Sequence, residues 1–404
     1  MRIAVLGGGK QARGVLYDLV AADAVDDVLW VDMATAPLHE WLDALRRRGH
    51  GVPGKVEVAT VDARDTGALD ALLRRAGDVV IDMLPRQFGT AVVQAAIQSG
   101  VHVVHTNFEG ELPRLRGAIE AAGIAVLPEM GFDPGIDLVM CAEAVRLFDR
   151  VDALSWYGGG FPEPALSTSN PLGYKITWIW EGVLHSYNRP AVLLRDGSAV
   201  HISAAEVMAD ENTHRVHVPE LGDFDAFANL DATDCAEKLG IDGQVRDLGR
   251  YVLRWRGHCR LWNALKQLGF LEMTQVPGLP EGVTPRAFME KHLEPRLQYA
   301  PGERDVAINR IDITGMVEGA RKRCILQVID YRDLDTGLMA MNRMVGFPAA
   351  IAARMIADGT LGARGLLTPI KHVPYEPFMS ALRGHGIRET RQWCDPVLPP
   401  TRRG

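Results

Sequence analysis

Apolar and polar positions alternate in two different ways along this chain, and the change divides it. From residue 1 to about 132, short apolar runs of strand length recur between stretches whose apolar residues fall at helical spacing. The strand-like runs are residues 3–6, 28–31, 56–61, 78–82, 102–105 and 124–127. Between them the pattern predicts helices: one through Val15, Leu16, Leu19 and Val20, then one through Leu42 and Leu45, and others over residues 65–73, 90–98 and 115–122. Regular strand–helix alternation demands parallel strands joined by right-handed crossovers. At Glu129-Met130-Gly131-Phe132-Asp133-Pro134-Gly135 the pattern breaks into a sharp turn, followed by a helix over residues 136–148. Beyond it the chain reads as β-rich, with strands predicted at 151–157, 191–194, 199–202, 215–218, 223–228, 306–314 and 323–330. Gly346-Phe347-Pro348 then opens a predicted helix over 349–358 before a polar Pro/Arg tail. The resulting divisions are residues 1–132, 133–345 and 346–404.

The first strand runs straight into Gly7-x-Gly9-x-x-Ala12 and then a helix, the order of a dinucleotide-binding turn. Gly7 allows the turn, Gly9 has no side chain to hold a pyrophosphate off the backbone, and small Ala12 lets the helix sit close. Lys10 and Gln11 lie inside the turn, at a helix end whose N–H groups favour phosphate. The second strand ends at Asp32, about 20 residues further on, where a carboxylate bonds ribose hydroxyls and repels a 2′-phosphate. That predicts an α/β fold beginning with a Rossmann domain, a doubly wound parallel sheet, and NAD in preference to NADP. Ligands in such sheets bind at the carboxyl ends of the strands. Asp62, Leu84, Pro85 and Asn107 all stand there, Asp62 towards the adenine and Pro85 and Asn107 towards the nicotinamide. A plain turn role is the alternative for the last two.

At 404 residues the chain exceeds one core, in line with two domains. A net charge of −7 and only short basic runs (Arg46-Arg47-Arg48, Arg321-Lys322-Arg323, Arg402-Arg403) argue against nucleic acid. No apolar stretch reaches membrane-spanning length and no signal-like segment precedes the first strand, while the scattered cysteines suit a reducing cytoplasm, where the protein is expected. Five scattered cysteines make neither a disulfide framework nor a zinc ribbon. His214 and His217 read as strand or surface histidines, and no metal site is expected.

With these motifs in place, the chain resembles the saccharopine dehydrogenase-like reductases, and within them the L-lysine 6-dehydrogenases most closely. The resemblance rests on the glycine turn, on Gly131-Phe132-Asp133-Pro134-Gly135-Ile136-Asp137 and on Tyr157-Gly158-Gly159-Gly160-Phe161-Pro162. It continues through Asn170-Pro171-Leu172-Gly173-Tyr174-Lys175, Tyr187-Asn188-Arg189-Pro190, Arg254-Trp255-Arg256-Gly257-His258 and Gly346-Phe347-Pro348. It implies an α+β substrate domain, rich in antiparallel strands, inserted into the Rossmann domain, with the C-terminal helix returning to the latter. It also implies a homodimer or homotetramer, a small amino-acid substrate, and hydride transfer between nicotinamide and an amine-bearing carbon. The leading expectation is oxidation of the lysine ε-amine to the semialdehyde, which cyclises to piperideine carboxylate. The enzyme alternative is reductive condensation of an amine with an aldehyde or keto acid, as in saccharopine or carboxynorspermidine formation. An NAD-binding regulator is the non-enzyme alternative.

Amine oxidation needs a neutral amine, hence a base, and a cation for the substrate carboxylate. Arg254, Arg256 and His258, two residues apart, would share one face of a strand as a carboxylate clamp with a proton carrier. A solvated edge strand followed by a helix-capping glycine is the alternative. Asn170, Tyr174 and Lys175 stand in a loop suited to binding, with Lys175 a carboxylate ligand, a base or a plain surface lysine. Asp133 is expected to cap the following helix, leaving Asp137 to face the crevice as a proton relay or amine ligand, and Glu129 is a comparable candidate.

Overall fold

The structure, a computed structural model, describes residues 1–50 and 54–395; Arg402-Arg403 and the end of the Pro/Arg tail lie outside them. The chain forms two compact units. One comprises Met1–Ala142 with Asp333–Arg388, the other Glu143–Arg332 with the stretch from Glu389.

In the first unit, strands β1 (Arg2–Leu6), β2 (Asp27–Asp32), β3 (Val56–Thr60), β4 (Val79–Asp82), β5 (His102–His105) and β6 (Ala125–Leu127) are each followed by the turns and helices the pattern predicts. The helices are α1 (Ala12–Ala21), α2 (Ala36–Arg47), α3 (Thr66–Leu73), α4 (Gly89–Ser99) and α5 (Arg116–Ala122). The sheet order is Gly365–Leu366, β6, β5, β4, β1, β2, β3, and every pairing is parallel. This is a doubly wound sheet that reverses direction at β1. The apolar runs of β1, β2, β4, β5 and β6 are buried on both faces, as inner parallel strands require, while β3 at the edge is only partly covered.

The second unit is built on a sheet ordered Thr213–Val218, Gly222–Ala228, Asp247–Trp255, Arg150–Pro162, Asp305–Val317, Ala320–Tyr331, Glu389–Cys394. Along this path the pairings are antiparallel except that of Asp247–Trp255 with Arg150–Pro162; off it, Ala191–Arg195 pairs antiparallel with Ser198–Ile202 and with Asp247–Trp255, and parallel with Leu230–Asp231. One face carries Tyr157, Phe161, Phe224, Leu253, Trp255, Val306 and Ile308 as a core. Glu389–Cys394 was not foreseen as a strand; its alternation is too polar to signal one.

The C-terminal helix begins at Ala340, not beyond Pro348, and Pro348 lies inside it. A mid-helix proline costs about 3 kcal/mol. Phe347, Ile351, Met344 and Ile356 are buried along the same helix, each contributing roughly 1.5–3 kcal/mol, so packing outweighs the proline. Accordingly the return to the first unit occurs at Asp333 rather than 346, and the crossing out of it at Ala142 rather than 132.

Candidate functional site

Gly7 adopts φ +99°, and a Cβ there would lie 3.0 Å from the Met83 carbonyl oxygen, so the turn requires glycine. Around Gly9 nothing approaches the Cβ position within 4 Å, which leaves bare backbone open at the start of α1. Gln11 is the N-cap residue of α1. Trp30 Nε1 donates to the Gly7 carbonyl at 3.1 Å, tying the turn to β2. Asp32 then closes the loop from its other side: Oδ2 accepts from Gly8 N–H at 2.6 Å and Oδ1 from Ala34 N–H at 2.9 Å. Lys10 is exposed.

Beside Asp32 opens a mostly apolar cavity of about 160 Å³, lined by Leu6, Val31, Met33, Val61, Leu84, Pro85 and Phe88 among others. A slot of this kind accepts a flat purine. Leu84 and Pro85 thus line the purine slot, whereas the sequence pattern placed Pro85 towards the nicotinamide. Asn107 Nδ2 donates to the Leu84 carbonyl at 3.0 Å and so holds that wall from β5. Asp62 does not face the cavity, although Val61 and Ala63 line it. Its carboxylate turns to Arg64, with Nη2 at 2.7 Å, and that guanidinium holds its pKa below the ordinary range. Behind Leu84, Asp82 and His105 form a buried pair: Asp82 Oδ1 accepts from Leu84 N–H at 2.9 Å, and Oδ2 lies 3.2 Å from His105 Nδ1. Burial pushes the Asp82 carboxyl up. Each closes an apolar strand, a signal that sequence reading passed over.

Glu129 sits at φ +62°, a left-handed conformation that is costly for a side-chain-bearing residue, and its N–H donates to the Asn107 carbonyl at 2.9 Å. Asp137, expected to face the crevice, is only 1% exposed; its Oδ1 accepts from Gly135 N–H at 2.6 Å. The carboxylate therefore serves the turn that precedes its own helix, the part assigned by sequence to Asp133.

In the second unit the predicted Arg254–Arg256–His258 strand face does not exist. The strand ends at Trp255, Arg256 is exposed in the turn, and Gly257 at φ +90° caps a helix that starts at His258. The turn nevertheless folds His258 back towards Arg254, and Tyr187 joins them. Arg254 Nε donates to Tyr187 Oη at 3.1 Å, and Tyr187 Oη lies 2.8 Å from His258 Nε2. His258 Nδ1 is 2.7 Å from the Leu172 carbonyl, which can only accept, so Nδ1 carries the proton and Nε2 accepts from the tyrosine. Burial, reinforced by Arg254, pushes the imidazole down to about 3. His258 is therefore a neutral hydrogen-bond acceptor at physiological pH, not the proton carrier expected.

Arg254 is itself 6% exposed and lies over the Tyr174 ring at 5.1 Å and the Tyr187 ring at 5.8 Å. Its Nη1 donates to the Leu253 carbonyl at 2.9 Å, and no carboxylate pairs with it among the described residues. Two neighbours in the sequence motif are otherwise engaged. Lys175 Nζ is bound to Glu303 Oε2 at 2.6 Å, which removes it as a free base or clamp. Asn170 spends its amide on its own loop, donating to the Tyr174 carbonyl at 2.9 Å and accepting from Leu172 N–H at 3.0 Å. Tyr187, absent from the predicted site, had its signal in the Tyr187-Asn188-Arg189-Pro190 stretch that carries the resemblance.

Comparison with known proteins decides the family. The sequence model described as Saccharopine dehydrogenase NADP binding domain matches residues 3–127, and that described as Saccharopine dehydrogenase C-terminal domain matches residues 131–387. The chain belongs to the saccharopine dehydrogenase family. Among relatives of this family, a Pyricularia oryzae protein named saccharopine dehydrogenase [NADP(+), L-glutamate-forming] is 26% identical, over 85% of this chain and 89% of its own. Bovine mitochondrial alpha-aminoadipic semialdehyde synthase is 26% identical over 97% of this chain, which spans 48% of the bovine protein, about half its length. The solved apo saccharopine dehydrogenase (L-Glu forming) from Saccharomyces cerevisiae superposes with a TM-score of 0.83 at 25% identity, covering 97% of this chain and 99% of that one.

A nicotinamide dinucleotide fits the family's first domain as it stands here, since the bare backbone at Gly9 and the apolar cavity beside Asp32 offer a phosphate cradle and a purine slot. The NADP in the matched domain's description, and in the names of the fungal relatives, runs against the expectation of NAD. No described helix is long and apolar enough to cross a membrane.

Proposed function

We propose that this chain is a saccharopine-type dehydrogenase, which breaks or makes a secondary amine joining two amino-acid halves. The names of the relatives favour this alternative over oxidation of free lysine at its ε-carbon. In the oxidative direction a bound nicotinamide would accept hydride from the carbon bearing the secondary amine, leaving that carbon as an iminium. Water adds to that carbon, the carbon–nitrogen bond breaks, and glutamate and aminoadipic semialdehyde leave. The cofactor supplies the hydride acceptor; the chain's own residues bind and orient the substrate.

The observation that carries the reading is Arg254. A buried guanidinium without a carboxylate partner is costly, and an anionic substrate would supply the missing charge at Nη2, since Nε donates to Tyr187 and Nη1 to the Leu253 carbonyl. A substrate of two amino-acid halves carries several carboxylates, whereas free lysine carries one. Tyr187 is held by His258 so that its oxygen accepts from Arg254, which fixes the direction of the guanidinium.

The test is a substrate panel followed through the absorbance of reduced nicotinamide. Saccharopine should give signal and L-lysine none; signal with lysine alone would restore the lysine 6-dehydrogenase reading. Arg254→Lys should lower kcat/KM for saccharopine roughly 100-fold, since a point charge replaces the planar fork. The relatives' names favour NADP as cofactor, while the Asp32 carboxylate, seated by Gly8 and Ala34, specifically favours NAD as a second reading. Fluorescence titration with NADH and NADPH separates them, and Asp32→Ala should favour NADPH in either case.

A further inference from the structure

The dinucleotide turn receives a contact from a residue far along the chain, and that contact fixes which end of a side chain faces the phosphates. Asn342 stands in the first turn of the Ala340–Ala357 helix, 331 positions after Gln11, within the same compact unit. Its Oδ1 accepts from Met339 N–H at 3.0 Å, a bond only an oxygen can accept. The other end of that amide is therefore a donor, and it reaches Gln11 Oε1 at 3.1 Å. With Oε1 taken, the end of Gln11 left over is the Nε2 donor, which has no partner among the described residues. The approach is possible because two glycines face each other. A Cβ on Gly14 would lie 2.0 Å from the Asn342 carbonyl oxygen, and one on Gly346 would lie 2.4 Å from Val15 N.

We infer that Asn342 is a positioning residue for cofactor binding, holding the Gln11 amide with its N–H₂ donor presented to the dinucleotide pyrophosphate at the mouth of the turn. The inference rests on the dinucleotide reading of the Gly7–Ala12 turn but not on the saccharopine reading of the second unit. An unrestrained glutamine amide presents either end to an anion; the Asn342 bond removes the repulsive orientation. The effect is one charge-assisted hydrogen bond gained by the phosphates.

The experiment is fluorescence titration of the full chain with NADPH and NADH, independent of any turnover. Asn342→Asp keeps the volume and the oxygen that accepts from Met339 but replaces the donor. Gln11 should then turn its Nε2 towards the aspartate and its Oε1 towards the phosphates, weakening binding about tenfold. Gln11→Leu should weaken it by a similar factor, and the double variant should be no weaker than Gln11→Leu alone. If the aspartate weakens binding equally with leucine at position 11, its charge and not the orientation of Gln11 is responsible, and the proposal fails. Unchanged affinity in Asn342→Asp also overturns it. Should Asn342→Asp unfold, Asn342→Leu removes the donor without adding charge. Weaker binding that disappears in the Gln11→Leu background supports the proposal, and unchanged binding, or equal weakening in that background, refutes it. Absence of turnover with saccharopine in a protein that responds in this way would remove the substrate reading alone.

Discussion

At the scale of single residues, His258 shows how far burial alters a group from what its sequence neighbours suggest. Unfolded, its imidazole takes up a proton near 6.5; folded, burial and Arg254 hold this back to about 3. Between those values the unfolded chain binds the extra proton, so this residue lowers stability as pH falls from about 6.5 towards 3. Urea midpoints measured across that range should fall with acid, and less steeply in His258→Gln. Equal slopes would show that the residue is not buried as a neutral base. The sequence singled out Arg254 and His258 on a strand face that does not form, and Tyr174 in a separate loop; folding brings the three together. Nor could the sequence show that Lys175 is spent on Glu303 or Asn170 on its own loop, because both outcomes depend on which partner lies within reach after folding.

At the scale of elements, local pattern and tertiary packing compete openly in the Ala340–Ala357 helix. The proline rule places its start after Pro348, but the helix runs on because so much of its surface is buried. The glycine turn illustrates the converse. Ala12 is buried as expected of the third small position, yet the closest approach to α1 is made at Gly14, against the backbone of Asn342 and Gly346. Gly14→Ala should therefore destabilise the protein by roughly 1–3 kcal/mol, seen as a lower thermal midpoint, although alanine ordinarily improves a helix. A stabilised variant would mean that the two helices are not packed this closely. The sequence showed the strand–turn–helix order because it is written in neighbouring residues; the helix that packs on it comes from hundreds of residues away.

On the scale of the whole molecule, the first unit is completed by the last part of the chain. Gly365–Leu366 extends its sheet beside β6, and Arg354 of the C-terminal helix pairs with buried Asp18 of α1, with Nη2 3.0 Å from Oδ1. A chain ended after Arg332 loses the edge strand, this partner and the cover of α1. Such a chain should fail to bind reduced nicotinamide cofactor in a fluorescence titration; retained binding would mean that residues 1–142 suffice. By itself, the sequence determined the parallel sheet, the glycine turn and the acid at Asp32, since each is set by spacing within a few turns of chain. Tertiary structure alone decided which polar groups remain available. Arg254 keeps its charge without a carboxylate, His258 loses its proton and Asn342 selects the face of Gln11, because hydrogen-bond partners and burial depend on contacts between residues remote in sequence.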